Sequence, residues 1–234
     1  MLAVIKREIA AYFRSPIGYI FLAVFYVLSG FAFYTNCLYY RTNNLTPVFE
    51  SLFNTQLFLI PMLTMRLMSE ERKNKTDQAL LTAPISLTSM VIGKFLSATL
   101  IMLFAQIIVL VYAVVLSFHS TIYWAVYIGS FAAIFLLGMS IVAMGMFISS
   151  LTENQVISAI GCFGVSFFLL MLDVLRNVFT NPAAETAIAI LSFYDRYQSF
   201  SRGIFSYASI LFFISVSVVF VFLTIGVFEK RRWS

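Results

Sequence analysis

The sequence predicts an all-α integral membrane protein, with six transmembrane helices behind an amino-terminal interfacial helix and partly embedded helices between spans five and six. Three observations lead there. Of 234 residues, 61% are hydrophobic and only 11% are charged, against about 25% charged in a typical soluble domain. Several uncharged runs reach roughly 20 residues, the length a helix needs to cross a bilayer. These runs are continuously apolar instead of alternating in ten-residue segments. Only helices and closed barrels satisfy their backbone in lipid, and continuity selects helices.

The whole chain, 1–234, reads as one transmembrane domain. In residues 1–15, Leu2, Ile5, Ile9, Tyr12 and Phe13 fall at near-helical spacing, and Lys6, Arg7, Glu8 and Arg14 cover much of the remaining circumference. That pattern suits a helix lying on the membrane surface. Ser15, Pro16 and Gly18 offer a break, and 17–38 is long enough to be the first span. It is too long for the apolar core of a secretory signal. The second span, 48–68, carries Glu50 near its start, Pro61 within it and Arg66 near its end, so its charges belong at the interfaces or against protein.

Residues 69–84 form a polar stretch, treated below. Two spans follow at 91–118 and 121–150, with His119 and Ser120 at the turn and Tyr123, Trp124 and Tyr127 placed as an interfacial aromatic belt. A fifth span, 156–172, is about as short as a crossing helix can be. Residues 173–203 mix charges with aromatic side chains, which fits a re-entrant outer segment covered by protein. The sixth span, 204–228, precedes the tail EKRRWS.

Lys and Arg number eleven in the amino-terminal region, the 66–94 region and the tail, against four in the alternate loops. The positive-inside rule therefore predicts a multi-pass protein with both termini cytoplasmic. The basic residues are spread over helix ends and form no single stripe, so topology accounts for the net charge of +5 better than nucleic acid does. Cys37 and Cys162 fall inside apolar runs without metal-ligand spacing and read as small core residues. No catalytic, cofactor-binding or metal-ligating set is expected. His119 is the only histidine, Asp173 has no embedded carboxylate partner, and no GxxxxGK[ST] loop occurs.

Ser69 to Pro84 holds six of the 25 formal charges. Ser69 can cap a helix, Glu70 and Glu71 suit its first turn, and Pro84 marks an end. An amphipathic helix and a solvated, topology-holding loop both fit these residues. Gly129, Gly138, Ser140 and Gly145 on the fourth span, with Gly161 and Gly164 on the fifth, permit close helix packing, which accounts for them better than a substrate site.

The run MRLMSEERKNKTDQALLTAPISLTSMVIGKFLSATL resembles the segment between the second and third spans of ABC-2 type permeases, the membrane subunits of ATP-binding cassette transporters. Residues 144–161, MGMFISSLTENQVISAIG, are similar to that family's turn between spans four and five. The tail from Phe200 onward looks most like permeases of the gliding-motility type. One departure is Asn74 and Lys75 before Thr76, where the family often has a glycine.

The resemblance implies a coupling helix over Glu70 to Leu81, seated in a groove of a cytoplasmic ATPase subunit. Glu70, Glu71, Arg72, Lys73, Thr76 and Asp77 would meet that partner, and Leu80 and Leu81 would pack on it or on the permease. Thr152, Glu153 and Asn154 would make a smaller second contact. ATP and magnesium would bind to the ATPase, with none held by this chain. Two permease copies or homologues would pair in a bacterial cytoplasmic membrane and move a lipid-like, polymeric or hydrophobic cargo. The alternative is force transmission, without transport, to an envelope accessory subunit contacting residues 173–203.

Overall fold

The structure, a computed structural model, describes residues 1–75, 86–118, 121, 123–176, 192–201 and 206–232. Its described residues are helical, with no strand among them. Helix α1, Leu2–Arg14, buries Val4, Ile5, Glu8 and Tyr12 along one stripe. This is the i, i+3, i+4 pattern of an amphipathic helix, with a carboxylate placed on the apolar face. Ser15 is extended, with φ −101° and ψ 154°, and Pro16 opens the next helix at a position where its missing N–H costs nothing.

Helix α2, Pro16–Phe33, runs on through a π-helical turn at Tyr34–Tyr39. Helix α3 spans Thr46–Thr64, and after a tight turn the short α4 covers Ser69–Lys73. Helices α5, Leu87–Ser117, and α6, Trp124–Leu151, are the longest. Helix α7 covers Gln155–Arg176, α8 Phe193–Ser201 and α9 Tyr207–Arg232. Six helical stretches are long and apolar enough to cross a membrane, the second running from Thr46 to Lys73. The protein is thus an all-α integral membrane protein.

Helix α6 is the hub, packing against α9, α3, α8, α7 and α5. Small residues make this possible. A Cβ on Gly145 would overlap Thr64 and come within 2.9 Å of Cys162 Sγ, and one on Gly138 would overlap Met102. A Cβ on Gly161 would come within 2.9 Å of Ile148 Cγ2, whereas one on Gly164 would meet nothing within 4 Å. Ser140 donates to the Phe213 carbonyl at 3.0 Å, tying α6 to α9. Helices α7 and α9 leave most of their apolar surface outside the fold, as lipid-facing or partner-facing helices do.

The two ends of the bundle differ in chemistry. One carries α1, α4, the 152–154 turn and the end of α9; the guanidinium groups of Arg72 and Arg231 both donate to the Ser150 carbonyl there, at 3.2 and 3.0 Å. They satisfy the carboxyl-terminal dipole of α6. The opposite, distal end gathers the π-turn, residues 40–45, the start of α6 and α8. Asn43 donates to the Thr121 carbonyl there at 3.0 Å.

Candidate functional site

The charged end contains a knot of six charged side chains drawn from α1, the turn after α3, α4 and α5. Lys94 lies seven residues into α5 with a side chain only 2% exposed. A cation so buried needs partners from every side. It donates to the Leu67 carbonyl at 2.9 Å and pairs with Glu71 at 3.0 Å and with Glu8 at 3.3 Å. Arg7 closes the ring, reaching Glu8 at 2.7 Å and Glu71 at 3.0 Å.

A second arm joins the same elements. Arg66 pairs with Glu70 at 2.7 Å in i,i+4 register, donates to Ser15 Oγ and lies over the Tyr12 ring at 5.0 Å. Tyr12 donates to the Leu63 carbonyl at 2.7 Å, and burial pushes its phenol pKa up, so it stays a neutral donor. Three cations and three carboxylates balance across the knot. A hollow of about 410 Å³ opens beside them, lined by Glu8, Tyr12, Glu70, Glu71 and Asn74 among others.

A hydroxyl from α6 helps to hold the break between α3 and α4. Ser149 Oγ accepts from the backbone N–H groups of Met68 and Ser69, each at 3.1 Å, and donates to the Met65 carbonyl at 3.0 Å. Met65, Met68 and Ser69 therefore bond to α6 instead of continuing a straight helix. Ser69, buried, does not act as the amino-terminal cap expected of it; its hydroxyl donates back to the Met65 carbonyl.

Helix α4 stops at Lys73. Asn74 follows, and Lys75 adopts φ 56°, the left-handed region that favours glycine. A lysine therefore holds this turn at some conformational cost. The expected coupling helix ran unbroken from Glu70 to Leu81; a left-handed residue interrupts that run. Thr76, Asp77, Leu80 and Leu81 lie outside the described residues.

Of the expected contact residues, Glu70, Glu71 and Arg72 turn inward. Arg72 pairs with Glu153 at 3.1 Å besides bonding Ser150. Lys73, Glu153 and Asn154 are exposed and line a shallow hollow of about 350 Å³ with Gln155 and Val156. The 152–154 turn is stiff: Thr152 Oγ1 accepts from the Asn154 N–H at 3.2 Å, and Asn154 caps α7 by accepting from Val156 N–H at 2.9 Å.

The spacing argument missed Arg7, Glu8, Arg66 and Lys94 as members of this site. A signal was present for two of them. Glu8 stands on the same helical face as Ile5 and Tyr12, and Lys94 is a lone cation ahead of a long apolar run. Ionisable residues in such places are functional candidates by default.

A multi-pass helical membrane protein with an amphipathic helix and a charged loop bound at one end has the form of a transporter subunit. The sequence profile of the ABC-2 type transporter family matches residues 1–183. The chain belongs to that family. It is a permease component of an ABC transporter, and the ATPase activity lies in a separate subunit with which it partners. No curated protein matches the chain significantly.

Proposed function

We propose that the protein receives the work of ATP hydrolysis at its charged end and uses it to move a lipid-like, polymeric or hydrophobic substrate across a bacterial cytoplasmic membrane. Two permease subunits, identical or related, stand on two ATPase subunits, with both termini on the cytoplasmic side. The exposed Lys73, Glu153 and Asn154 seat the ATPase, together with the segment carrying Thr76, Asp77, Leu80 and Leu81. Glu70, Glu71 and Arg72 act one step further in, fastening that segment to the bundle.

The observation that carries this reading is the attachment of α4. Its carboxylates bind Lys94 of α5 and Arg7 of α1, while Arg66 holds it to the end of α3. A push on residues 69–75 therefore loads α1, α3 and α5 together instead of bending a free loop. The Lys94–Glu71 pair, 2% and 16% exposed, is the stiff part of this joint, since separating it leaves unpaired charges in a poorly solvated place.

The test separates seat from joint in the complex purified with its ATPase. Lys73→Glu combined with Glu153→Lys should lower the amount of ATPase retained. Glu8→Gln with Lys94→Met and Glu71→Gln should retain the ATPase yet weaken the response of its hydrolysis rate to the permease. Full ATPase retention by the first variant and an unchanged response in the second would sink the proposal.

A further inference from the structure

The turn between the first two helices able to cross a membrane, Pro16–Tyr39 and Thr46–Lys73, lies at the distal end and so at a membrane surface. Its neutral polar side chains bond within the fold. Thr42 donates to the Asn36 carbonyl at 2.9 Å, Asn43 donates to the Thr121 carbonyl at 3.0 Å, and Asn44 Oδ1 accepts from the Thr46 N–H at 3.0 Å. Arg41 differs. It is exposed, and among the described residues its guanidinium makes no hydrogen bond or ion pair. Its backbone also stands at φ 51°, a left-handed corner that a glycine would hold at less cost. A strained position that carries an unspent cation points to a role for that side chain outside the fold.

Arg41 lines an open hollow of about 520 Å³ between the π-turn and the end of α5. The lining has two parts. Arg41, Thr42 and Asn43 make an exposed polar lip, while Leu38 and Val115, 48% and 40% exposed, supply apolar surface at the ends of two spanning helices. No Asp or Glu is among the described lining residues, so nothing there opposes the charge of Arg41. The neighbouring Tyr39 and Tyr40 are exposed too, their rings edge to face at 5.2 Å. Exposed tyrosines at the end of a spanning helix mark the level of the lipid headgroups.

We propose that this hollow seats the headgroup phosphate of an anionic phospholipid, with its acyl chains running along Leu38 and Val115. A guanidinium offers paired N–H groups that match two phosphate oxygens. Asn43 keeps a second amide N–H beside it, since only one is spent on Thr121. A zwitterionic lipid would bring an ammonium group as well, and the described lining has no carboxylate to receive it. Dissolved phosphate would leave the apolar part of the hollow unused. The volume lies within the range of small-molecule sites, about 300–1,000 Å³. The site stands at the opposite pole from the charge knot and does not depend on the ATPase-coupling reading.

The full-length protein in nanodiscs of mixed phosphatidylglycerol and phosphatidylcholine tests it by photo-crosslinking. Each probe lipid carries a diazirine near the head of one acyl chain, and the labelled residues are mapped by mass spectrometry. The phosphatidylglycerol probe should label 37–43 and 115–116 about ten-fold more than the matched phosphatidylcholine probe. The exposed face of α9 at Val218 and Phe222 should take both alike. Arg41→Gln should abolish the preference, and adding Tyr40→Lys, which returns the charge one residue away, should not restore it. Arg41→Gly removes the cation while relieving the left-handed backbone, so it reports if the first variant fails to fold. Equal labelling by the two probes, a preference that survives loss of Arg41, or its restoration by Tyr40→Lys overturns the proposal. So does its loss to excess inorganic phosphate at constant ionic strength, or crosslinking of 38 and 115 to a second copy of the chain in place of lipid.

Discussion

Lys94 Nζ and a Glu71 carboxylate oxygen stand 3.0 Å apart, joining the third long helix to the charged segment that follows the second. Glu8 of α1 completes the triad at 3.3 Å from the same nitrogen. The charges most easily assigned to an outside partner are thus spent on holding α4 to the fold.

Removing the central cation should be far worse than removing the charges as a set. Lys94→Met is expected to destabilise the protein by about 3–5 kcal/mol, because Glu8 and Glu71 lose their buried cation and keep only the half-exposed Arg7 between them. Adding Glu8→Gln and Glu71→Gln should recover a large part of that loss. Thermal unfolding in detergent of the single and triple variants checks both statements; equal losses would contradict the geometry.

Glycines of the same two helices should respond in opposite ways. At Gly145 a methyl group would collide with Thr64, whose branched side chain is buried and bonded to the Ile60 carbonyl at 3.1 Å. Gly145→Ala should therefore cost about 1–3 kcal/mol through overpacking. Gly164→Ala meets open space and should be neutral or gain up to about 1 kcal/mol from helix propensity. The same unfolding measurement ranks them.

Ser149→Ala should loosen the joint between α3 and α4. It removes the acceptor for the Met68 and Ser69 N–H groups, and burying such groups without partners costs about 1–3 kcal/mol. Hydrogen exchange at 68–69 should rise more than elsewhere in the bundle.

Lys75→Gly should be stabilising by about 1 kcal/mol, since it relieves a left-handed side chain at φ 56°. Lys73→Gly, inside α4, should cost about 0.5–1 kcal/mol. A reversed order would show that the turn at 74–75 is not the conformation in the membrane.

Much of the architecture was legible because lipid imposes a simple code. The uncharged stretches after Ile17, Phe95 and Thr121 are long enough to cross, and helices run through them in the structure. Helix boundaries were less legible. Span two was expected to end at Met68, yet an apolar-to-charged stretch continues helically to Lys73 after a turn that Ser149 organises from a remote part of the chain. The inward turn of Glu70, Glu71 and Arg72 was not legible either. A charged residue near water looks the same in sequence whether its partner lies in another protein or on the next helix.

What the sequence alone determined is the class of molecule and the number of its helices able to cross a membrane. Those follow from how many charges the chain has and where the uncharged runs begin and end, quantities that need no packing to evaluate. Tertiary structure alone decided that Glu8, Glu71 and Lys94 meet and that Lys73 and Glu153 stay exposed. Each depends on the rotation and crossing of one helix against another, which small residues such as Gly145 permit but whose partners no one-dimensional spacing can name.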